Sequence, residues 1–556
     1  MHRLAVTSTA EELAEEATLA TLLRCCVREV AGPRGLVWPS PPLLLLRVGG
    51  TLLRARAHGG GALRFEGRPE RLAGGSWHPL TADDLVLLAE ADLTAGRHDG
   101  EFPERAGHRD EAGGQASHDE SSVQVSHGTE PGGQASRNGE FGGQVAASRE
   151  AVAAILRARA GATPPDDPWL ASEQALVYGH PFHPSPKARG GDGWLRYAPE
   201  THAEFPVRLL GVREDVLAEE GDLAALDGLG HAPAGYRLLP AHPWQLDLLR
   251  PRLGNELVDL GPGPSVMPTS SVRTVYAPAA GVCLKFSLDV RITNCVRKNA
   301  WYELAGAVEL TRRLTPIFDD ISAGFPGTRW LPEPGYRSVA LGPRLLEGLG
   351  VIVRTGPWEV CAPGVTPIVA GALAAAGPAL EPPGDPLAWW SAYVSVVAGP
   401  VLGLYFTHGV VLEPHLQNVL IGLDAAGLPV EAIFRDLEGA KLVAGRHDLT
   451  GLEPRVARAL SYDAERGWTR VAYCLLVNHL MEIAATLAGP HDDLLRRLWK
   501  AAREVLTHQA AALGRPEPLS DLLAGAPLPA KANLGVRWAR AADRSAGYVP
   551  IANPLA

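Results

Sequence analysis

The sequence EPHLQNVLIGLDAAGLPVEAIFRDLEG, residues 413–439, carries the clearest local structural signal in the chain. Two apolar runs, Val419–Ile421 and Val430–Phe434, flank the turn-forming residues Asp424–Gly427. Apolar runs of this length on either side of such a turn are typical of a β-hairpin. The segment therefore predicts a hairpin with polar residues at its open end.

The open end of this hairpin carries clustered oxygen ligands. Pairing about residue 426 would bring Asn418 close to Phe434 and within reach of Asp436, and Glu413 lies just before the first strand. Carboxylate and amide oxygens suit Mg²⁺ that carries a nucleotide phosphate. The alternative interpretation is a charged hairpin rim without a ligand.

A second hairpin is predicted from Ser271–Tyr276 and Val282–Leu288, joined by the turn Ala277–Gly281. An even register would place four polar side chains on one face: Ser271, Arg273, Lys285 and Ser287. Two cations and two hydroxyls on one face would form a phosphate-binding surface, and the alternative is a solvated strand face. Thr293 and Arg297 would share a face if their segment is helical, so that Arg297 would add a third cation.

The segment GHPFHPSPKARG, residues 179–190, contains three prolines within six residues. Because proline fixes φ and is excluded from helix interiors, we expect a stiff loop. The loop would present two imidazoles and two cations to an anionic ligand: His180, His183, Lys187 and Arg189. The alternative is a proline-rich surface turn, and a zinc site would need a third ligand that the local sequence does not supply.

A further polar segment, His242–Gln245, follows an apolar run. We expect a structural role, with Trp244 buried and the polar groups of His242 and Gln245 satisfied by neighbours.

Composition excludes several classes of protein. The 556 residues are 46% hydrophobic and 21% charged, which is the range of globular proteins with a large core. With 62 acidic and 52 basic residues the net charge is −10, so the chain has no global attraction for nucleic acid. An anionic substrate would need a local basic pocket.

The six cysteines include no CxxC pair, which indicates neither a zinc ribbon nor an iron–sulfur cluster and favours a reducing, cytoplasmic compartment. Glu11, Glu12, Glu15 and Glu16 stand where a signal peptide would need an apolar run. Leu387–Leu412 contains no Asp, Glu, Lys or Arg, but a Gly-Pro pair interrupts it. A buried core helix followed by a strand or loop is favoured over a membrane span.

Organisation along the chain indicates three units, 1–165, 166–350 and 351–556. Within the first unit we predict a helix at 10–30 and strands at 43–48, 51–57 and 62–66. Residues 100–148 are rich in Gly, Ser, Glu, His and Gln, which predicts a disordered insertion, and a helix should follow over 149–159. The last unit is predicted to be rich in helices.

Taken in order, the motifs HPxHPxxKxR, HPWQ, SxRT…KxS…T…R and ExHxQN…RDxEG resemble the IucA/IucC family of siderophore synthetases that act without a nonribosomal peptide synthetase. The resemblance is strong over residues 179–439, and LPAKANL at 528–534 resembles the family's C-terminal lysine motif. It implies an α+β fold: a cupped hand of thumb, fingers and palm, with mixed antiparallel sheets and helices, matching the three units above. It also implies a homodimer.

The resemblance further implies activation of a carboxylate, usually citrate, as an acyl-adenylate, followed by attack of an amine or alcohol. It implies ATP and Mg²⁺ as cofactors and small molecules as the other partners. The residues implied for the ATP phosphates are His180, Ser271, Arg273, Lys285 and Thr293. Glu413 and Asp436 would hold Mg²⁺, with Gln417 and Asn418 beside them at the ATP site.

The residues that the resemblance implies for the carboxylate substrate are Arg297, His415 and Lys531, and those closest to the chemistry are Lys285, Arg297 and His415. Converging cations agree with this chemistry, because a carboxylate attacking a phosphate brings two anions together. Some members of the family carry a C-terminal domain like ferric-siderophore reductases. Here the last cysteine is Cys474, so iron–sulfur chemistry is not implied.

Two other functions remain open at this point. A small-molecule kinase could use HLQN before a strand and RD after the next, although Glu413 replaces the expected catalytic Asp and no Gly-rich phosphate loop precedes a Val-Ala-Ile-Lys strand. A non-catalytic siderophore-binding or regulatory protein would not need a complete set of Mg²⁺ and phosphate ligands.

Overall fold

The computed structural model of the chain describes residues 8–98, 135–191, 193–251, 253–292, 295–376, 380, 382, 384–539 and 546–556. These residues form helices and three larger sheets, of five, eight and four strands. Most strand pairs are antiparallel, so the predicted α+β class is confirmed.

The N-terminal part is built on a five-stranded meander in which each strand pairs with the next along the chain. Its elements are α1 (Ala10–Cys25), β1 (Val37–Ser40), β2 (Leu43–Val48), β3 (Thr51–His58), β4 (Arg64–Ala73), β5 (Ser76–Pro79), α2 (Ala82–His98) and α3 (Ala135–Arg159). A wider helical turn, Cys26–Ala31, continues α1. The helix predicted at 10–30 and the first two predicted strands are confirmed, whereas the third begins at Arg64 and runs on to Ala73.

The middle part contains the eight-stranded sheet, with strand order β7-β15-β16-β11-β10-β9-β6-β8. Its elements are α4 (Pro168–Glu173), β6 (Phe205–Arg213), β7 (Leu217–Gly221), α5 (Ala224–Asp227), β8 (Tyr236–Ala241), α6 (Pro243–Leu249), β9 (Leu257–Pro268), β10 (Thr274–Ala277), β11 (Val282–Phe286), β12 (Leu288–Ile292), β13 (Cys295–Arg297), α7 (Trp301–Gly324), β14 (Thr328–Trp330), β15 (Gly335–Val339), α8 (Pro343–Gly348) and β16 (Val351–Thr355). Because β16 is an inner strand of this sheet, the expected unit boundary at 350 falls one strand too early.

The C-terminal part places many helices around the sheet β14-β20-β19-β17. Its elements are β17 (Thr366–Val369), α9 (Ala370–Ala375), α10 (Pro386–His408), β18 (Val410–Val411), β19 (Val419–Leu423), β20 (Pro429–Phe434), β21 (Lys441–Val443), α11 (Pro454–Leu460), β22 (Ser461–Tyr462), α12 (Ala464–Ala472), α13 (Met481–Ala488), α14 (Asp492–Ala512), α15 (Glu517–Leu523), β23 (Leu528–Lys531), α16 (Asn533–Ala539) and β24 (Tyr548–Ile551). A wide helical turn, Tyr473–Leu480, joins α12 to α13.

The predicted hairpin of residues 419–434 is confirmed as β19 and β20, with Val419 opposite Phe434. The apolar stretch 387–412 is confirmed as a core helix followed by a strand: α10 ends at His408, the capping residue Gly409 has a φ of +66°, and β18 follows. Trp389, Trp390 and Tyr393 of α10 are buried. Two helical segments, 386–408 and 464–488, are long and apolar enough to cross a membrane, but most of each is packed inside the fold.

The insertion was expected to extend to residue 148, and this boundary is wrong. Helix α3 begins at Ala135, whereas residues 99–134 lie outside the described part of the chain. Phe141, Val145 and Ser148 are buried, at helical spacings of four and three, and Phe141 packs edge-on against Trp538 at 5.9 Å between ring centroids. Three glycines and the polar composition conceal this amphipathic pattern in the sequence.

We predict that Phe141→Ala destabilises the protein by about 3–5 kcal/mol, because it removes a buried aromatic ring and leaves a cavity. Thermal unfolding of the purified protein measures this loss. Leu87→Ala on α2 is the matched control, because that side chain is 67% exposed and little should change. Deleting residues 107–130 should likewise have a small effect, whereas deleting 107–143 should destabilise strongly; equal melting temperatures for the two deletions would contradict the packing role of Phe141.

Candidate active site

Lys285 lies at the centre of a buried ion cluster. Its Nζ is 2.9 Å from Asp436 Oδ1, 3.1 Å from Glu438 Oε2 and 3.7 Å from Glu333 Oε1. Burial by itself would lower the pKa of Lys285, but the three carboxylates outweigh it and raise that pKa. Lys285 therefore stays charged although it is only 2% exposed.

Arg273 reaches the same cluster from a tight turn. The turn is closed by a hydrogen bond from Thr269 N to Thr274 O at 2.8 Å, and Val272 within it has a φ of +68°. Arg273 Nη2 then donates to Glu438 Oε2 at 2.6 Å. Arg273 and Lys285 thus share one carboxylate oxygen, so the predicted convergence of these two cations is confirmed.

The expected reason for that convergence is wrong, however. The even register would have paired Arg273 with Lys285, whereas the ladder pairs Thr274 with Lys285. Four residues, 278–281, connect β10 to β11, and an even loop length shifts the register by one. The turn before β10, and not a shared strand face, directs Arg273 toward Lys285.

The two serines of that predicted face have local roles. Ser271 Oγ accepts from Thr274 N at 3.1 Å and donates to Thr274 Oγ1 at 2.8 Å. Ser287 is buried, and its Oγ donates to Glu347 O at 2.5 Å. Ser271 therefore stabilises the turn next to the cluster, whereas Ser287 does not belong to a phosphate-binding face.

Arg354 and Glu333 complete the cluster, and neither was predicted. Arg354 Nη2 lies 2.5 Å from Glu333 Oε1 and 3.2 Å from Asp436 Oδ1. Arg354 lies on β16, opposite Cys283 of β11, which places it on the same face as Lys285. The available signal was a single arginine within the apolar strand Val351–Thr355.

The open end of the β19–β20 hairpin supplies a second part of the site. Glu413, Asn418 and Asp436 line one pocket there, as predicted from the hairpin. Glu413 Oε1 lies 3.1 Å from Arg470 Nη1. If residue 439 were not glycine, its Cβ atom would lie only 2.8 Å from the other oxygen, Glu413 Oε2. The RDxEG motif therefore needs glycine at 439, because any side chain there would displace the Glu413 carboxylate.

Asp436 has a φ of +73°, a conformation that residues other than glycine rarely adopt. Burial would raise the pKa of Asp436, but Lys285 and Arg354 outweigh it and hold that pKa well below the usual range. Burial likewise opposes the ionisation of Glu438, yet Arg273 and Lys285 lower its pKa to about 2. Both carboxylates are therefore ionised near neutral pH.

Gln417 is held by a network behind the hairpin. Arg435 pairs with the buried carboxylate of Glu173, and Arg435 Nη2 donates to Gln417 O at 2.7 Å. Glu173 Oε2 also accepts from Ser270 Oγ at 2.7 Å, and Gln417 Nε2 donates to the same hydroxyl at 3.2 Å. The network ties the Ser271 turn to the QN pair of the hairpin.

Residues from distant parts of the sequence lie within electrostatic range of His180, and this group is called the basic pocket: His183, His415, Arg28 and Lys531. Burial and the neighbouring charges of this group lower the pKa of His180 well below its usual value. Burial also lowers the pKa of His415, although Glu413 and Asp436 oppose this effect. His415 therefore lies within electrostatic range of both the hairpin carboxylates and the basic pocket.

The proline-rich loop presents fewer free cations than expected. Lys187 pairs with the buried carboxylate of Glu200, and Arg189 Nη2 lies 3.2 Å from the same oxygen. These two cations consequently stabilise the loop from within and do not face a ligand. Phe182 N donates to His180 Nδ1 at 3.0 Å, which fixes that imidazole at the start of the loop.

The structural role predicted for His242–Gln245 is confirmed for Trp244, which is buried, and for Gln245, whereas His242 is only partly satisfied, because its Nε2 is buried without a hydrogen-bond partner among the described residues. His242 is buried among Tyr197, Phe205 and Phe286, and its Nδ1 accepts from Trp244 N at 3.2 Å. Gln245 Nε2 donates to Gly348 O at 3.0 Å.

Two predicted site residues cannot be placed. Thr293 lies outside the described residues, and only the backbone of Arg297 is described. Arg297 lies on strand β13, opposite Leu288, so the helical segment on which the expected shared face depended is not present at Arg297. Within the described part of the chain, no group of three or more His, Cys, Asp or Glu side chains is arranged as a metal site.

A buried histidine supports the backbone of the hairpin. His479 Nδ1 lies 2.8 Å from Pro414 O, and because a carbonyl only accepts, Nδ1 must carry the proton. Nε2 must then accept from Tyr393 Oη, 2.6 Å away. Burial lowers the pKa of His479 to about 4. This neutral imidazole fixes Pro414, between Glu413 and His415.

Two protein families match consecutive parts of the chain. Residues 168–375 match the IucA / IucC family, and residues 387–546 match the family described as ferric iron reductase FhuF-like transporter. The chain is 30% identical to the L-2,3-diaminopropanoate–citrate ligase of Staphylococcus aureus, over 70% of this chain and 75% of that protein. It is 31% identical to the rhizobactin siderophore biosynthesis protein RhbC of Rhizobium meliloti, over 73% and 80%.

The fold is also that of a solved structure, the ATP-bound aerobactin synthetase IucA from Klebsiella pneumoniae. The TM-score is 0.77 at 22% identity, with 99% of this chain and 100% of that chain covered. The segment that matches the FhuF-like family contains one cysteine, Cys474, which is buried with a free thiol. One buried thiol cannot form the four-cysteine site of an iron–sulfur cluster.

We predict that His479→Leu makes the free energy of unfolding less dependent on pH between pH 7.5 and pH 5. The pKa of His479 is 6.5 when unfolded and about 4 when folded, so its neutral form stabilises the protein above pH 6.5 and this contribution is lost as pH falls. Between pH 7.5 and pH 5 the wild type should lose about 2 kcal/mol through this group, and the variant should not.

Urea unfolding at the two pH values measures the difference. Tyr393→Phe is the control, because it removes the hydroxyl partner but keeps the titrating imidazole, and it should retain most of the pH dependence. An unchanged pH dependence in His479→Leu would contradict the buried neutral assignment.

Proposed function

The chain belongs to the IucA/IucC family, and on this premise we propose that it is an ATP-dependent ligase of siderophore biosynthesis that condenses citrate with an amine. Membership and the named relatives support a citrate ligase rather than a kinase. The relative from Staphylococcus aureus is named for joining citrate to L-2,3-diaminopropanoate, an amine. We therefore place citrate first among acids and a primary amine first among nucleophiles.

The position of His415 is the observation that carries the proposal. It is within electrostatic range of Asp436, which belongs to the cluster of Lys285, Arg273 and Arg354, and also of His180 in the basic pocket. The first site suits the phosphates of ATP, and the second suits a polycarboxylate. A carboxylate held in the second site would then face the α-phosphate of a nucleotide held in the first.

This arrangement supports a two-step reaction. A carboxylate oxygen of citrate attacks the α-phosphorus, the bond from that phosphorus to the bridging oxygen breaks, and pyrophosphate leaves. The amine nitrogen then attacks the acyl carbon, loses a proton, and displaces AMP to give an amide. The cations offset the charge that builds up when two anions meet, and no covalent enzyme nucleophile is required.

The roles of individual residues remain as proposed from the family. We assign Arg273, Lys285 and the Ser271 turn to the phosphates, with Thr293 and His180 beside them, and Arg297, His415 and Lys531 to the acid. His180 shares its pocket with His415 and Lys531, which favours a role at the junction of acid and phosphate. A homodimer and a cytoplasmic location are proposed on the same family basis.

Mg²⁺ fits the oxygen ligands of the hairpin pocket. Lys285 and Arg354 both contact Asp436 at Oδ1, and Arg470 contacts Glu413 at Oε1. The second oxygen of each carboxylate can therefore bind a metal ion. With the Asn418 amide these form a hard-oxygen set. When bound, Mg²⁺ would neutralise phosphate charge beside Lys285.

We predict that turnover with ATP, citrate and a diamine releases AMP and pyrophosphate and forms an amide. Mass spectrometry of the products distinguishes this outcome from phosphoryl transfer. Release of ADP with a phosphorylated acceptor would contradict the ligase and favour the kinase.

We further predict that two variants separate the nucleotide site from the acid site. Asp436→Asn should lower turnover with every acid by about 30-fold or more, because it leaves buried cations without their partner, and added Mg²⁺ should partly restore it. Lys531→Met should instead raise the KM for citrate by about tenfold or more, with little change in the KM for ATP.

Asp247→Asn on the exposed face of α6 is the matched control for a loss of one negative charge and should behave as wild type. The two assignments are exchanged if Lys531→Met abolishes ATP binding while the affinity for citrate is retained.

A further inference from the structure

Two adjacent residues near the N-terminus, Arg28 and Glu29, contact two loops that are far apart in the sequence. Both lie in the turn Cys26–Ala31 that continues α1, and both are buried. One loop carries His180 and the other follows Lys531, and these are residues of the basic pocket. The reaction proposed above assigns no role to Arg28 or Glu29.

Glu29 caps the start of α16. Its Oε1 accepts from Asn533 N at 3.0 Å, and its Oε2 accepts from Leu534 N at 2.7 Å and from Gly535 N at 3.1 Å. One carboxylate thus satisfies three backbone donors at the start of a helix that has no such acceptor on its own preceding residue, Ala532. Glu29 and Asn533 are 504 positions apart, so this contact fixes the Lys531 segment on the N-terminal part of the fold.

Arg28 holds the other loop. Its guanidinium carbon lies 3.2 Å from the centroid of the Phe182 ring, within the range of a cation–π contact. Its Nη1 is buried and has no hydrogen-bond acceptor among the described residues, and its Nη2 makes only a long contact of 3.5 Å with Gly61 O. The ring of Phe182 is therefore the main partner of this guanidinium.

Phe182 connects the contacts made by Glu29 with those made by Arg28. Its N–H donates to His180 Nδ1 at 3.0 Å, and its carbonyl accepts from Asn533 Nδ2 at 3.0 Å. The chain of contacts is closed: Glu29 fixes Asn533, Asn533 binds the carbonyl of Phe182, Phe182 fixes the imidazole of His180, and Arg28 stacks on the Phe182 ring.

We propose that Arg28 and Glu29 are positioning residues of the acid-binding pocket, which clamp the His180 loop and the Lys531 segment against each other. The effect on citrate rests on the proposed function, whereas the clamp itself does not. His180 and Lys531 must hold a fixed spacing if Lys531 is to bind the acid and His180 is to lie at the junction of acid and phosphate, since a misplacement of about 1 Å can reduce turnover about 100-fold. The N-terminal part of the fold supplies that spacing.

The first test measures the clamp without any substrate. Hydrogen–deuterium exchange should become faster in Glu29→Gln for the backbone amides of Phe182 and of residues 533–535, because the amide side chain turns an N–H₂ donor toward groups that are themselves donors. Glu15→Gln is a closely matched control: Glu15 lies on the preceding helix, and its Oε1 accepts from Ala82 N at the start of α2 at 2.7 Å, but it contacts neither loop. Unchanged exchange at Phe182 in Glu29→Gln would overturn the clamp whatever the enzyme does.

The second test separates positioning from general stability. Glu29→Gln and Arg28→Met should each raise the KM for citrate by about tenfold, with the KM for ATP within about twofold of wild type. Arg28→Lys keeps the charge but loses the planar stack, so it should restore only part of the affinity. An increase in both KM values to the same extent, or values equal to those of Glu15→Gln, would overturn the positioning role.

The two proposals fail in different ways. If wild-type enzyme releases AMP with citrate but Glu29→Gln matches Glu15→Gln in every assay, the positioning role is wrong and the ligase stands. If wild-type enzyme adenylates no polycarboxylate, the proposed function and the effect on citrate are wrong, and the exchange data alone decide the clamp.

Discussion

The burial of Lys285 is the constraint on which the rest of the site depends. A lysine amine that is withdrawn from water must be paired, and here three carboxylates and their own cationic partners provide the pairing. The members of this ion cluster come from two different sheets. Lys285 and Arg354 lie on the eight-stranded sheet, whereas Asp436 and Glu438 follow β20 of the four-stranded sheet. The ion cluster therefore ties one sheet to the other.

Such a cluster is a poor source of net stability, because the desolvation of several charges offsets most of their mutual attraction. Its value is geometric. The carboxylates hold Arg273, Lys285 and Arg354 close together, and under the proposed function this arrangement would preorganise the site for the phosphates of a nucleotide. The positive φ values of Val272 and Asp436 agree with this interpretation, since uncommon backbone conformations persist where surrounding contacts determine them.

The acid-binding pocket is organised differently. Its members come from the N-terminal turn, the proline-rich loop, the hairpin and the C-terminal strand, and no single element of secondary structure brings them together. Packing of Leu534 and Trp538 of α16 into the N-terminal core places the C-terminal segment there. The neutral imidazole of His479 fixes the neighbouring backbone by donating a hydrogen bond to Pro414 O.

The sequence by itself determined the two hairpins, the buried helix α10, the order of the motifs and, through that order, the family. The hairpins and the helix follow from local periodicity and turn chemistry, although the register of the second hairpin does not, whereas the family follows from the resemblance of the ordered motifs to it. Only the tertiary structure decided that Lys187 and Arg189 neutralise Glu200, that Arg354 and Glu333 complete the Lys285 cluster, and that a turn rather than a strand face aims Arg273. Each of these outcomes is a pairing of charges between elements that pack together, and the energy of a pairing depends on distance in space. Separation along the chain carries almost no information about that distance, and one added loop residue is enough to reverse which face a strand presents.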